Sequence, residues 1–206
     1  PESSRNILIE GCYFDTGDDC IAIKSGKNED GRDRKMPSEN IIVRNCTMKD
    51  GHAGVALGSE ISGNCFNVWV ENCKMDSQNL ERILRIKSNP VRGGHIENIF
   101  MRNIEVGICS EAIFYVEMKY ERVKEGPNMP VIKNVQMTNI TSQRSRFGVY
   151  IDGFDPETNG GKVQVSDVLI KDCEFNNVKT PYRIKGAENI KFENLKINGQ
   201  LVEYKK

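Results

Sequence analysis

The chain has 206 residues with 29 basic and 29 acidic side chains, so its formal net charge is zero, which gives no support to a nucleic-acid partner. No apolar run approaches the roughly 20 residues of a membrane span, and the opening "PESSRNILIE" lacks the basic-then-apolar pattern of an export signal. The length allows one domain with a sizeable core, and seven cysteines without a CxxC pair argue against a zinc site and against a complete disulfide framework.

From the N-terminus onward one pattern returns seven times: "RNILIEGCYF" (5–14), "ENIIVRNCTM" (39–48), "FNVWVENCKM" (66–75), "ENIFMRNIEV" (97–106), "KNVQMTNITS" (133–142), "SDVLIKDCEF" (166–175) and "ENIKFENLKI" (188–197). Each opens on Asn or Asp, at 6, 40, 67, 98, 134, 167 and 189, with steps of 34, 27, 31, 36, 33 and 22 residues. Apolar and polar residues alternate within each unit, the period of a strand with one buried face. Six residues after each leading Asn or Asp stands Cys12, Cys46, Cys73, Ile104, Ile140, Cys173 or Leu195. Small or aliphatic groups at one register are what a stacked interior column needs, so these thiols are expected to be structural and unreactive.

Units this short cannot bury their own apolar face and must stack on their neighbours. Neither the leucine-rich signature nor a 3.6-residue period appears. The expected fold is an all-β, right-handed, single-stranded parallel β-helix of about seven coils. It is read as one domain over 1–206, with catalytic-face coils to about residue 106 and C-terminal coils beyond. A ladder of outward side chains on such a solenoid suits a long, extended polymer.

Candidate chemistry lies between the repeats. The first coil carries "FDTGDDCIAIKSG" (14–26), with Asp18 beside Asp19 after Gly17. The second carries "DGHAGVALGSE" (50–60), where His52 stands 12 residues after Asn40, as Asp18 stands 12 after Asn6. The third carries "RILRIKSN" (82–89), with Arg85 18 residues after Asn67, so a longer turn must intervene. Arg85 and Lys87 are two apart and share one strand face. Stacking therefore places two carboxylates beside a histidine beside two cations. Two carboxyl groups are what glycoside hydrolysis uses, one protonated and one ionised, and repulsion between neighbours is expected to raise one pKa. A guanidinium and an ammonium can grip a sugar-acid carboxylate. His95, in "GGHIEN", is given no role.

The motifs "GDD" (17–19), "GHAG" (51–54) and "RIK" (85–87), in this order, resemble those of glycoside hydrolase family 28, the polygalacturonases and related pectinases. The match is specific over residues 1 to about 106. The insertion "SGKNEDGRDRKMPSEN" (25–40) is similar to that of the bacterial exo-acting branch. The resemblance implies an inverting hydrolase of α-1,4-linked galacturonic acid, with Asp18 as general acid and Asp19 helping to activate water. It implies that His52 tunes the acid, that Arg85 and Lys87 hold the substrate carboxylate, and that no metal or other cofactor is used. Secretion or a periplasmic location is implied for the full-length parent. Ala53 departs from the family's "GHG". The family's "NTD" aspartate is missing, which implies a chain cut just downstream of it, weakly active or inactive, and able to self-associate through its uncapped N-terminal end. Two other readings stay open: a pectate-lyase-like elimination that needs calcium, and a non-catalytic β-helical carbohydrate-binding or adhesion module.

Overall fold

The computed structural model of the chain describes residues 1–158 and 162–204. The first coil consists of β1 (Arg5–Glu10), β2 (Tyr13–Phe14) and β3 (Ile21–Ile23), followed by the helix α1 (Asn28–Arg34). The second has β4 (Ser38–Arg44), β5 (Thr47–Met48) and β6 (Val55–Gly58). Then come β7 (Cys65–Met75) with β8 (Arg82–Lys87), and β9 (His95–Ile108) with β10 (Ala112–Glu117). The long β11 (Val131–Asp152) runs through two walls by itself, and β12 (Val165–Phe175) with β13 (Val178–Lys185) completes the next coil. The chain ends in β14 (Ala187–Ile197) and β15 (Gln200–Val202).

All neighbouring coils pair in parallel. One wall stacks β1, β4, β7, β9, β11, β12 and β14, and the second stacks β3, β6, β8, β10, β11 and β13. The expected all-β parallel solenoid is present, but the chain completes about five turns rather than seven coils. The seven repeats each add a strand to the first wall, whereas the second wall has six strands and hence five steps. The last repeat turns back instead, pairing β15 antiparallel to β14.

The repeat explains the first wall residue by residue. Asn6, Asn40, Asn67, Asn98, Asn134, Asp167 and Asn189 all adopt positive φ, between 50° and 63°. A short polar side chain tolerates this left-handed conformation where a β-branched one does not. Their amides form a ladder, Asn67 donating to Asn40 at 3.1 Å, Asn98 to Asn67 at 2.9 Å and Asn134 to Asn98 at 2.8 Å. A second ladder runs parallel to it, with Asn103 donating to Asn72 and Asn139 to Asn103. The Asn positions are thus bends within a continuous wall, and each carries side-chain hydrogen bonds from coil to coil.

The interior columns follow the period-two pattern. Ile41, Val68, Ile99, Val135, Val168 and Ile190 lie in register and are all buried. From the second wall Ile23, Leu57, Ile86, Val116 and Ile151 form the matching column of the same core. Each such side chain contributes about 1.5–3 kcal/mol by leaving water. The cysteine column stacks as expected, with Cys46, Cys73 and Cys173 buried. Burial pushes the Cys73 thiol up to about 11 and the Cys173 thiol up to about 12. Cys12, on the first rung, is exposed.

Helix α1 lies inside the insertion 25–40, where no helix was expected. Its sequence "NEDGRDR" places Glu29 and Asp30 in the first turn and Arg32 and Arg34 in the last, the order that suits the helix dipole.

Candidate active site

The outward face of the second wall holds the site. In register along it stand Ala22, Ala56, Arg85, Tyr115, Tyr150 and Arg183. The first two positions are alanine, and Gly58 opposes Lys87 one step further along. These small residues make a low floor over the first two coils. The long side chains of the third coil can lie back across it. Gly58 has φ +100°, and a Cβ there would collide with the Lys87 carbonyl. Larger residues on this floor would push Lys87 off its partner.

That partner is Asp19. The Lys87 ammonium donates to Asp19 Oδ2 at 2.8 Å, with side chains only 8% and 5% exposed. The other carboxylate oxygen, Oδ1, is buried and accepts no hydrogen bond. Asp18 turns the opposite way: its Oδ1 lies 3.0 Å from His52 Nδ1 and accepts the Asp19 amide at 2.8 Å. The backbone supports this pairing, since the His52 amide donates to the Asp18 carbonyl at 3.0 Å. With Asp18 ionised, His52 Nδ1 must carry the proton.

Burial pushes the Asp18 carboxyl up, but the Asp19 amide, the His52 hydrogen bond and the charges of His52 and Lys87 outweigh it, so its pKa lies below the ordinary 3.8. Like-charge repulsion therefore does not raise the Asp18 carboxyl in the free protein. The two aspartates point apart, Asp18 to His52 and Asp19 to Lys87.

Arg85 sits 3.6 Å from Glu117 and leaves its Nε without an acceptor. The Tyr120 ring covers both cations of the motif, 5.7 Å from the Arg85 guanidinium and 5.5 Å from Lys87 Nζ. Asp18, Asp19, His52, Arg85 and Lys87 line one open cleft of about 400 Å³. All five expected site residues are brought together. Their register differs from the expectation in one respect: His52 aligns with Asp18, whereas Arg85 and Lys87 enter further along the strand and reach back.

The cleft has residues that the repeat pattern missed. Tyr120, Glu121, Arg92, Lys24 and Glu60 also line it. Tyr120 and Glu121 carry the lining of the cleft beyond residue 106. They come from a 3₁₀ turn (Tyr120–Arg122) between β10 and β11, where no repeat signal exists. Phe114 is buried, and Tyr115 faces outward above Arg85. Tyr115 stacks on Tyr150 with ring centroids 4.5 Å apart and lies under Arg82. Both ring faces are thus occupied by protein. His95 lies at the start of β9, 3.1 Å from Glu97, and does not line the cleft.

Fold and cleft together define a parallel β-solenoid whose outer surface gathers two carboxylates, an imidazole and several cations in one cleft. The family model for glycosyl hydrolases family 28 matches residues 1–157, and the chain belongs to that family. It is 30% identical over 195 residues to a probable polygalacturonase of Vitis vinifera, covering 92% of this chain and 39% of that one. It is 31% identical over 118 residues to an exo-poly-alpha-D-galacturonosidase of Dickeya chrysanthemi, covering 57% of this chain and 19% of that one. The crystal structure of a hyperthermoactive exopolygalacturonase from Thermotoga maritima superimposes with a TM-score of 0.90 at 33% identity, over 99% of this chain and 44% of that one. The chain therefore spans less than half the length of each of these relatives. No helix among the described residues is long and apolar enough to cross a membrane.

Proposed function

We propose that the protein carrying this chain hydrolyses α-1,4-linked galacturonic acid in pectin or polygalacturonate, with inversion at the anomeric carbon. The observation that carries this reading is the convergence of Asp18–His52 and Asp19–Lys87 with Arg85 in one cleft of a family 28 solenoid. Names of the relatives support the substrate class, since each similar protein named above is called a polygalacturonase or galacturonosidase.

In this mechanism Asp18 is the general acid. Its side chain is 80% exposed in the free protein and favours the ionised form. A bound sugar chain covers it and brings further negative charge, and both changes raise its pKa until it holds the proton for the leaving oxygen. His52 fixes the carboxyl's direction through Nδ1. Asp19, whose Oδ2 is held by Lys87, activates water. Arg85 and Lys87, under Tyr120, receive the sugar carboxylate. The lyase alternative needs a calcium ion held by several carboxylates. Asp18 and Asp19 diverge, and among the described residues no group of three His, Cys, Asp or Glu is placed to hold a metal.

Family membership supports an exported protein, secreted or periplasmic.

The test is hydrolysis of polygalacturonate by the protein carrying this chain, followed through reducing ends and the anomer of the first product. Asp18→Asn is expected to lower the rate by about 10²–10⁴-fold while oligogalacturonate binding persists. A calcium-dependent, ultraviolet-absorbing product would establish the lyase. Unchanged binding with no turnover in any form would establish the binding module.

A further inference from the structure

Beyond the Arg85–Lys87 pair the cleft contains a second cation that is buried, rigid and incompletely satisfied. The Arg92 side chain is 6% exposed, yet it lines the cleft, and its Nε has no acceptor. The turn that carries it is fixed on every side. Asn89 Oδ1 accepts the amides of Val91 and Arg92 at 3.0 and 2.9 Å. From helix α1 the Arg32 guanidinium donates to the Val91 and Arg92 carbonyls at 3.1 and 3.0 Å. These bonds fix the backbone of the turn, and a buried guanidinium carried on it is costly unless something pairs with it.

Its partner here is Glu121, whose two oxygens both lie 3.2 Å from the same Arg92 nitrogen. Glu121 is the opposite kind of residue. Its side chain is 54% exposed, and both it and Arg122 take the left-handed conformation, with φ 59° and 61°. Two successive non-glycine residues in that region store strain that the surrounding structure must hold. A fixed cation therefore faces a counter-ion on an exposed, strained segment. Lys24, paired with Glu60 at 2.7 Å, also lines the cleft.

We infer that Arg92 is a second carboxylate anchor, which Glu121 occupies in the free protein and which a neighbouring uronate unit of the bound chain takes over. The inference rests on the galacturonate reading above. It assigns Arg85 and Lys87 to one sugar and Arg92 to the next, so that recognition requires at least two charged units. Glu121 is then a competing internal ligand.

The experiment is calorimetric binding of galacturonate, digalacturonate and digalacturonate methyl-esterified on one unit or the other, to wild type, Glu121→Gln and Arg92→Met. Glu121→Gln sits on an exposed segment and should fold. It is expected to bind digalacturonate several-fold more tightly, with the monomer unchanged. Arg92→Met is expected to weaken digalacturonate about tenfold or more, as loss of a charge-assisted bond does. In wild type one of the two mono-esters should lose a comparable factor, and in Arg92→Met that ester should lose nothing further. Where Arg92→Met fails to fold, Glu121→Gln and the ester series decide. Equal digalacturonate affinity in wild type and Glu121→Gln, or equal affinity in wild type and folded Arg92→Met, overturns the anchor while leaving the galacturonate reading intact. Failure of wild type to bind any galacturonate oligomer overturns both.

Discussion

The two walls of the solenoid are built from the same chain with the same period, yet they use their outward faces differently. On the first wall the bend positions repeat themselves, Asn stacking on Asn from coil to coil, while Trp69 and Phe100 beside them stack on each other at 5.8 Å. On the second wall the outward column passes from Ala22 and Ala56 through Arg85 to Tyr115, Tyr150 and Arg183, so small, cationic and aromatic groups adjoin one another. Repetition of one residue satisfies that residue with its own kind and leaves little for a ligand. Broken repetition puts unlike groups next to each other, and only unlike groups can make an acid–base pair or a carboxylate clamp. The interior does not distinguish the walls, since both bury aliphatic columns.

Substitutions should separate these roles. The largest stability effect is expected at Lys87→Met, which leaves the Asp19 carboxylate buried without a partner and should cost about 3–5 kcal/mol in chemical denaturation. Adding Asp19→Asn should restore most of that loss but no activity. On the first wall, Asn98→Ala removes two ladder hydrogen bonds and places a Cβ-bearing apolar residue at φ 63°. A cost of about 1–3 kcal/mol is expected, with the rate constant per folded molecule unchanged. If Asn98→Ala altered binding of a galacturonate oligomer, the division between the walls would fail.

The smallest effect is the response to acid, and it falls on both walls. Glu10 is held below the ordinary 4.5 by its hydrogen bond from Arg44, and Glu60 by its hydrogen bond from Lys24. Groups whose folded pKa is depressed add stability that is full above the unfolded value and is lost as pH falls through the folded value. The melting temperature should therefore hold on the neutral side and decline below about pH 4.5. Glu60→Gln should flatten that decline slightly, because these pairs are partly exposed and screened. A rise in melting temperature on acidification would contradict the assignment.

The regular parts of this molecule were legible in sequence because their physics is local and periodic. Alternating apolar residues and a left-handed Asn at fixed spacing are visible in any one coil, and their recurrence implies stacking. Asp18, Asp19, His52, Arg85 and Lys87 were legible because short motifs fell at comparable places in successive coils. What sequence could not show was the direction of reach. Lys87 lies in register with Gly58, and it meets Asp19 only because Ala22, Ala56 and Gly58 leave the floor low. Tyr120, Glu121 and Arg92 were missed for the opposite reason: they sit in turns outside the repeat. Adjacency in sequence gave no sign that the two aspartates would face His52 and Lys87 separately, an arrangement that keeps Asp18 below its ordinary value. The number of closed turns was overread because a repeat adds a strand to the first wall whether or not its coil closes.

The central claim is that the second wall holds a uronate-specific cleft between the Asp18–His52 and Asp19–Lys87 pairs. The most direct measurement is a crystal structure of the Asp18→Asn protein with a galacturonate oligomer bound. The account predicts a sugar carboxylate within hydrogen-bond reach of Arg85 and Lys87, beneath Tyr120, and a glycosidic oxygen beside residue 18. An oligomer seated on the first wall, or one in the cleft with its carboxylates turned to solvent, would contradict it.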